Sequence, residues 1–463
     1  MATTQTTTSV PANSETQSAI LYQNNHQTVF LIDIPASISL AQQSPESKCA
    51  GNIARCKSDT TSIFSCSPLQ CRYPGPPTEP KGAKARLNVT ERIPAAELEY
   101  RHEIAALVCD ALQELNANYA REWCLPRAIL PRELQKTARK KRRRGHQVAG
   151  LDGTNEPDIM AHACQTRVDG ASHMPPLILA PGLNIIPSLD YIQRVAVKNT
   201  SSAPAILRTG NATSANAGKN PDDNPITFRI PPRTAFLLTH MSSPQPGTFP
   251  DLLPFPFILS GKTFDFILMD PPWPNRSVRR SAHYQTDSGF STLQSLMSGL
   301  LKAYLDPTTG IAAIWTTNNA QSRSAARGAL QDAGLQLAEE WIWIKTTTQG
   351  DAVSPIDGLW RQPYEVLVIG KPWDGGKQMD SVKRRVIAAV PDVHSRKPSL
   401  KEMVERVFFT LASTVGGETR VQEYEALEVF ARNLTAGWWS CGDEVLRFNW
   451  DGWWANAEGS SVT

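Results

Sequence analysis

Apolar and polar positions are distributed unevenly along the chain, and the distribution separates a regular second half from a less regular first half. Two β-rich runs, Ala19–Tyr22 and Thr28–Ile34, flank the polar stretch 23–27 and predict a hairpin docked onto something larger. Residues 1–18 are Thr-rich and polar and read as disordered, and 36–88 return to Ser, Pro, Gln and Gly and read as a linker. Over 95–123 the apolar residues Ile104, Leu107, Val108, Ala111, Leu112 and Leu115 recur at three- and four-residue spacing, which predicts an amphipathic helix. Residues 175–235 are rich in Pro, Asn and β-branched side chains, with Tyr191–Lys198 and Ile226–Ile230 as candidate strands and little regular helix.

From residue 235 the pattern changes. Short apolar runs occur at Ala235–Leu238, Phe264–Met269, Ile311–Trp315, Trp341–Ile344, Val366–Ile369 and Ala426–Phe430, and helical stretches such as 291–305 and 321–333 separate several of them. Apolar runs of this length alternating with helices predict an α/β fold built on a parallel sheet buried on both faces. The expected organisation is a mostly disordered 1–88 carrying the hairpin at 19–34, and an accessory region 89–235. The α/β domain follows at 236–450, with a tail at 451–463.

Composition narrows the class. A hydrophobic share of 41% with 20% charged residues over 463 positions suits a folded protein of two or three domains. The start lacks a signal-type apolar core, and no segment approaches the roughly 20 apolar residues that cross a bilayer, so no membrane partner is expected. Eight cysteines, Cys49, Cys56, Cys66, Cys71, Cys109, Cys124, Cys164 and Cys441, contain no CxxC pair, which argues against a zinc site and for reduced thiols in the nucleus or cytosol. The net charge of +3 says little about partners, but Arg139–Arg144 is an unbroken basic run. It is a solvated loop, a nuclear localisation signal or a nucleic-acid contact, and the last two are indistinguishable in sequence.

Chemistry enters where the run Phe264–Met269 leads directly into Asp270-Pro271-Pro272-Trp273. The exocyclic amine of adenine is a poor nucleophile because its lone pair is delocalised into the ring. Acceptors aimed at its N–H groups favour a pyramidal, electron-rich nitrogen. Asp270 supplies one acceptor and the Pro271 carbonyl another, while the prolines stiffen the turn and add no competing donors. Trp273 offers an aromatic face for a base, a contact worth about 1–3 kcal/mol. A strand's carboxyl end is where α/β sheets bind ligands. The next segment carries Asn275, Arg276, Arg279, Arg280 and Tyr284 with no acid, a composition suited to the phosphates around a flipped nucleotide.

Further blocks complete a resemblance. They are Phe236-Leu237-Leu238, Lys262–Asp265, Glu340-Trp341 with Trp343 and Lys345, Pro363-Tyr364-Glu365, His394-Ser395 with Lys397-Pro398, Phe430–Asn433, and Gly437-Trp438 with Gly442, Glu444 and Val445. In this order the chain resembles the MT-A70 family of adenine methyltransferases over about residues 230–450. The resemblance implies a Rossmann-like sheet whose catalytic strand precedes the strand that closes the cofactor pocket, with S-adenosylmethionine consumed as methyl donor and no metal. By motif, Lys397, Arg432 and Asn433 would hold the cofactor's carboxylate and ribose, and Glu365 matches a position near the target base. Two positions depart from the family pattern. Thr239-His240-Met241 stands where a strand commonly ends in Asp, and Gly442-Asp443-Glu444 where Gly-Asn-Glu is usual. Both bear on cofactor affinity rather than on the catalytic motif.

The resemblance implies methylation of adenine N6 in RNA or DNA. The two alternatives are a catalytically silent nucleic-acid-binding adaptor of the same fold and methylation of an amide nitrogen. A partner subunit is compatible with the sequence but not readable from it.

Overall fold

The structure is a computed structural model that describes residues 18–43, 61–73, 80, 82–130, 175–210, 225–239, 241, 261–274, 289–373, 381–412 and 419–455. The polar start, the basic run 139–144, Cys49, Cys56, Cys164, His240 and the segment 275–288 lie outside the described residues.

A twelve-stranded sheet organises the molecule. In chain order its strands are β1 (Ile20–Gln23), β2 (Val29–Ile32), β3 (Leu177–Ile178), β4 (Ala196–Lys198), β5 (Ala235–Leu238), β6 (Phe266–Met269), β7 (Ile311–Thr316), β8 (Leu335–Lys345), β9 (Tyr364–Pro372), β10 (Lys383–Ala389), β11 (Ala426–Val429) and β12 (Trp439–Gly442). Their spatial order is β1-β2-β10-β8-β9-β7-β6-β11-β12-β5-β4-β3. The central strands β7, β6, β11, β12 and β5 are mutually parallel. Among the described residues the helices are α1 (Ile34–Ala41), α2 (Ala83–Thr90), α3 (Ala95–Asn118), α4 (Phe290–Tyr304), α5 (Ala320–Asp332) and α6 (Lys401–Phe408).

The expected α/β class is what forms, and the short apolar runs become its central strands because helices cover both faces. Leu293, Leu296, Met297, Leu300 and Leu301 of α4, Ala326 and Leu330 of α5, and Ile104, Val108 and Leu115 of α3 pack in one core. Ile34 and Ile38 of α1 and Met403 and Val404 of α6 pack in the other. The sheet is mixed where a wholly parallel one was expected, because β9 runs antiparallel to both β7 and β8. The connection 346–363 contains no helix to carry the chain back across a face, so the two strands pair as a long hairpin.

The hairpin of β1 and β2 forms as expected, and β2 docks parallel to β10, extending the large sheet. The stretch read as a linker is partly structured. It contains most of α1, whose first turn is capped by Asp33 accepting from Ala36 N at 2.8 Å, and most of α2. Ser62–Ile63 also pairs with Trp454–Ala455 near the chain end. Of the two strands expected within 175–235, Thr227–Ile230 forms, whereas 191–198 divides into a 3-10 turn at Leu189–Ile192 and the short β4. Helix α3 ends at Asn118, short of residue 123. Tyr119 turns extended, and the chain then drops Trp123 and Cys124 into the core.

Ion pairs clamp α3 to α5 and, through Arg384 and Glu103 at 2.9 Å, to β10. Arg323 of α5 donates to Glu97 at 2.5 Å, and Tyr100 lies beneath the guanidinium groups of Arg323, Arg327 and Arg384 at 4.6, 5.5 and 5.8 Å. No described helix is long and apolar enough to cross a membrane.

Candidate active site

The carboxyl ends of β6 and β11 meet where the chain leaves the sheet in different directions, the place at which open α/β sheets gather ligands. Strand β6 is wholly buried and delivers Asp270 to that edge, where Asp270 N donates to Val429 O of β11 at 3.2 Å. The Asp270 carboxylate is the hub of the cluster. Lys397 Nζ donates to Oδ1 at 2.8 Å and Arg432 Nη1 to Oδ2 at 3.3 Å.

Charge continues outward on both sides of this hub. Lys397 also reaches Glu365 at 3.3 Å, and Lys345 donates to Glu365 at 2.7 Å. On the other flank Arg432 Nε donates to Glu444 at 3.0 Å, and Arg447 donates to the second Glu444 oxygen at 2.7 Å. Burial alone would raise the Glu365 carboxyl, but Lys345 and Lys397 overcome it and hold the group down at about 2. Burial likewise opposes the charge on Lys397, yet Asp270 and Glu365 outweigh it and raise the ammonium above its ordinary value. Arg432 is raised in the same way by Asp270 and Glu444 against its burial.

A cavity of about 40 Å3 opens beside the hub, lined by Asp270, Lys397, Arg432, Asn433, Trp315 and Glu428 among others. Glu428 sits in β11 between Leu268 of β6 and Ser440 of β12. Burial first, and Asp270 second, push its carboxyl up to about 8, with Arg432 opposing them. A carboxyl raised so far favours its neutral form at pH 7, which can donate a hydrogen bond as well as accept one.

The Asp-Pro-Pro-Trp turn is rigid in an unexpected manner. Trp273 is buried, its indole N–H donates to the Trp315 carbonyl at 2.8 Å, and its ring stacks on Phe290 at 6.0 Å. The ring that the sequence suggested as an open face for a base instead fastens the turn to β7 and α4. Trp273 N also donates to Pro271 O at 2.9 Å, which leaves one lone pair of that carbonyl for a further donor. Pro272 is exposed.

Backbone conformation shapes the rim. Ser395 and Phe430 both adopt left-handed φ values, 67° and 59°, which non-glycine residues rarely do. Gly442 (φ +148°) allows the close approach at Phe430, since a Cβ at Gly442 would lie 3.2 Å from Phe430 Cα. This adjacency carries Asp443 into the field of Arg432.

Of the residues singled out in sequence, the structure brings Asp270, Lys397, Arg432, Asn433 and Glu365 together around one cavity edge, with Pro271 and Asp443 adjoining. Met241 packs against the core on the α3–α4 side. His240 and the loop residues Asn275, Arg276, Arg279, Arg280 and Tyr284 lie outside the described residues. Sequence reasoning gave no role to Lys345, Glu428 or Arg447. Glu428 did leave a signal, since a carboxylate inside the otherwise apolar run Ala426–Phe430 is out of place in a strand buried on both faces.

A mostly parallel Rossmann-like sheet with an Asp-Pro-Pro-Trp turn at a central strand end, ringed by cations, defines a methyltransferase. Residues 264–444 match the MT-A70 family. Similarity extends beyond the domain. The N6-methyladenosine RNA methyltransferase MTA1 of Cryphonectria parasitica is 28% identical over 444 residues, 95% of each chain. Its namesake in Pyricularia oryzae is 29% identical over 459 residues, 96% of this chain and 98% of the relative. The N(6)-adenine-specific methyltransferase METTL4 of Mus musculus is 33% identical over 232 residues, 48% of this chain and 44% of the relative. The region before residue 235, which lies outside the resemblance read from the sequence, thus has a counterpart in the two fungal relatives.

Proposed function

We propose that the protein transfers the methyl group of S-adenosylmethionine to the exocyclic N6 amine of adenine in a nucleic acid, with RNA the favoured substrate. The observation that carries this reading is the Asp270 carboxylate, presented by a rigid proline turn at the end of β6 and held by Lys397 and Arg432. The RNA preference rests on the two fungal relatives, whose likeness takes in the N-terminal region as well as the domain.

The donor set fits the cofactor. Lys397 and Arg432 suit its carboxylate, Asn433 offers a donor and an acceptor to a ribose hydroxyl, and the neutral Glu428 adds a second donor. When bound, S-adenosylmethionine supplies a methyl group on a sulfonium leaving group. The chain's own task is positioning, which can contribute roughly 7–11 kcal/mol to lowering a barrier. Asp270 spends one acceptor site on Lys397 and one on Arg432, and a carboxylate has about four. The remaining lone pairs, with the free one on Pro271 O, receive the two N–H groups of the target amine and enrich its nitrogen. Lys397 and Arg432 hold the Asp270 carboxylate in place through their hydrogen bonds.

The test is methyl transfer from labelled S-adenosylmethionine by the purified protein to RNA, single-stranded DNA and duplex DNA, with Asp270→Ala beside it. Label in adenine that disappears in the variant is the expected result, strongest on RNA. No label on any substrate, together with no cofactor binding by calorimetry, overturns the reading in favour of the silent adaptor.

A further inference from the structure

Lys397 owes its place to a loop whose anchor lies on the other side of the backbone. Its neighbour Arg396 points away from the site into a closed cage. There Arg396 Nη1 donates to Asp392 at 2.8 Å and to Phe64 O at 2.8 Å, and its guanidinium lies over the rings of Phe448 and Trp453 at 4.4 and 4.6 Å. The Arg396 and Asp392 side chains are 1% and 0% exposed.

The rest of the cage comes from far earlier in the chain. Ser65 Oγ donates to Asp392, and Cys66 N donates to the same carboxylate oxygen at 3.3 Å. Arg127 Nη1 donates to Pro391 O and Nη2 to Val390 O, both at 2.8 Å. The two early segments also grip each other, through Ser65 N to Ala128 O at 2.7 Å and Leu130 N to Ser65 O at 3.1 Å. Among the described residues the other polar holds on the loop are local or come from the site itself, and Ser37 Oγ of α1 accepts from Ser399 N at 3.0 Å where the loop ends. Arg396 N turns back to Val393 O at 3.0 Å, Ser395 Oγ meets His394 Nδ1 at 2.8 Å, and Ser395 O accepts from Arg432 at 3.2 Å. The left-handed Ser395 stands between the cage and Lys397, a conformation that persists only where the surroundings over-determine it.

We propose that the segments around Ser65 and Arg127 are part of the active centre, acting as positioning residues that hold the loop 390–398 so that Lys397 reaches Asp270. This rests on the cofactor reading of Lys397 given above. Both segments lie outside the residues that match the MT-A70 family, so the matched domain has its cationic loop held by a region it does not contain. Arg127 suits the task because its planar fork bridges two successive carbonyls, which a single ammonium would not do in the same geometry.

A double-mutant cycle in the full-length protein separates positioning from plain stability. Arg127→Met is measured in the native background and beside Lys397→Gln, with S-adenosylmethionine affinity read by calorimetry and amide hydrogen exchange read over residues 393–399. The expected result is an affinity loss of about tenfold in the native background, little or none beside Lys397→Gln, and faster exchange confined to the loop while β6 and β7 stay protected. Equal losses in both backgrounds, or unchanged affinity with a loosened loop, overturn the proposal. Ser65→Ala removes one hydroxyl only, and if Arg127→Met does not fold it carries the same comparison with a smaller loss. A native protein that binds no cofactor at all refutes the functional reading instead. In that case the exchange arm still decides the anchoring, since a loop equally protected in Arg127→Met and native protein overturns it.

Discussion

Arg396 and Lys397 are neighbours in the chain and enter charge clusters of opposite kinds. The Lys397 cluster is partly open, with side chains of Asp270, Lys397, Glu365 and Arg432 17–25% exposed. Each of its charges touches more than one partner, so it can exchange them when a ligand arrives. The Arg396 cluster is sealed, and two guanidinium nitrogens, Nε and Nη2, have no hydrogen-bond partner there and lie against aromatic rings instead. A sealed ion pair offers a ligand nothing, but breaking it strands a buried charge. An open one stabilises less and remains available for chemistry. One turn of chain thus separates a structural use of charge from a catalytic one.

The largest effect is expected in the sealed cluster. Arg396→Met leaves Asp392 buried and unpaired, and should lower unfolding free energy by about 3–5 kcal/mol in urea titrations. A loss no greater than that of Lys397→Gln would erase the distinction between the clusters. Next comes Asp270→Ala, expected to reduce kcat by about 10²–10³-fold, the range typical of losing one group that stabilises a transition state, while the thermal midpoint moves little. A comparable fall in midpoint would make Asp270 a structural residue. Lys397→Gln should weaken S-adenosylmethionine binding through one charge-assisted hydrogen bond, about 1.5–3 kcal/mol, read by calorimetry.

The last effect concerns Glu428 and is read as a change with pH. Its folded carboxyl is raised to about 8, so the folded state holds a proton that the unfolded chain releases near pH 4.5. Stability from this group is full at acid pH and drains away as pH rises from about 5 through 8. Glu428→Gln lacks this loss, so its thermal midpoint should gain on the native protein by about 2–4 °C across that window and then run parallel. Parallel curves throughout would mean that Glu428 ionises normally.

Much of the catalytic half was legible because its signals are local. A buried parallel strand needs an unbroken apolar run, and Phe264–Met269, Ile311–Trp315 and Ala426–Phe430 supplied three. Helices α4 and α5 fall within one residue of the stretches expected at 291–305 and 321–333. The antiparallel course of β9 was not legible, because periodicity sets a strand's faces and says nothing of its direction. Helix α1 was hidden by a Ser-rich sequence, and its burial comes from the sheet and α6 rather than from its own propensity. Trp273 misled for a related reason. An aromatic beside a catalytic turn suits stacking, and only the positions of Phe290 and the Trp315 carbonyl show that the ring is already committed.

What the sequence by itself determined is the chemistry of the strand end: the Asp-Pro-Pro-Trp turn, the cations of the later blocks, and the α/β class that puts such a turn at a ligand edge. These follow from covalent geometry and from patterns within a few residues. Tertiary structure decided which charges meet. Lys345, Glu365, Lys397, Asp270 and Arg432 span 163 positions from 270 to 432, and Ser65 and Arg127 lie further off still. Their convergence depends on sheet order and loop closure, and a pairing across hundreds of residues leaves no periodic trace along the chain.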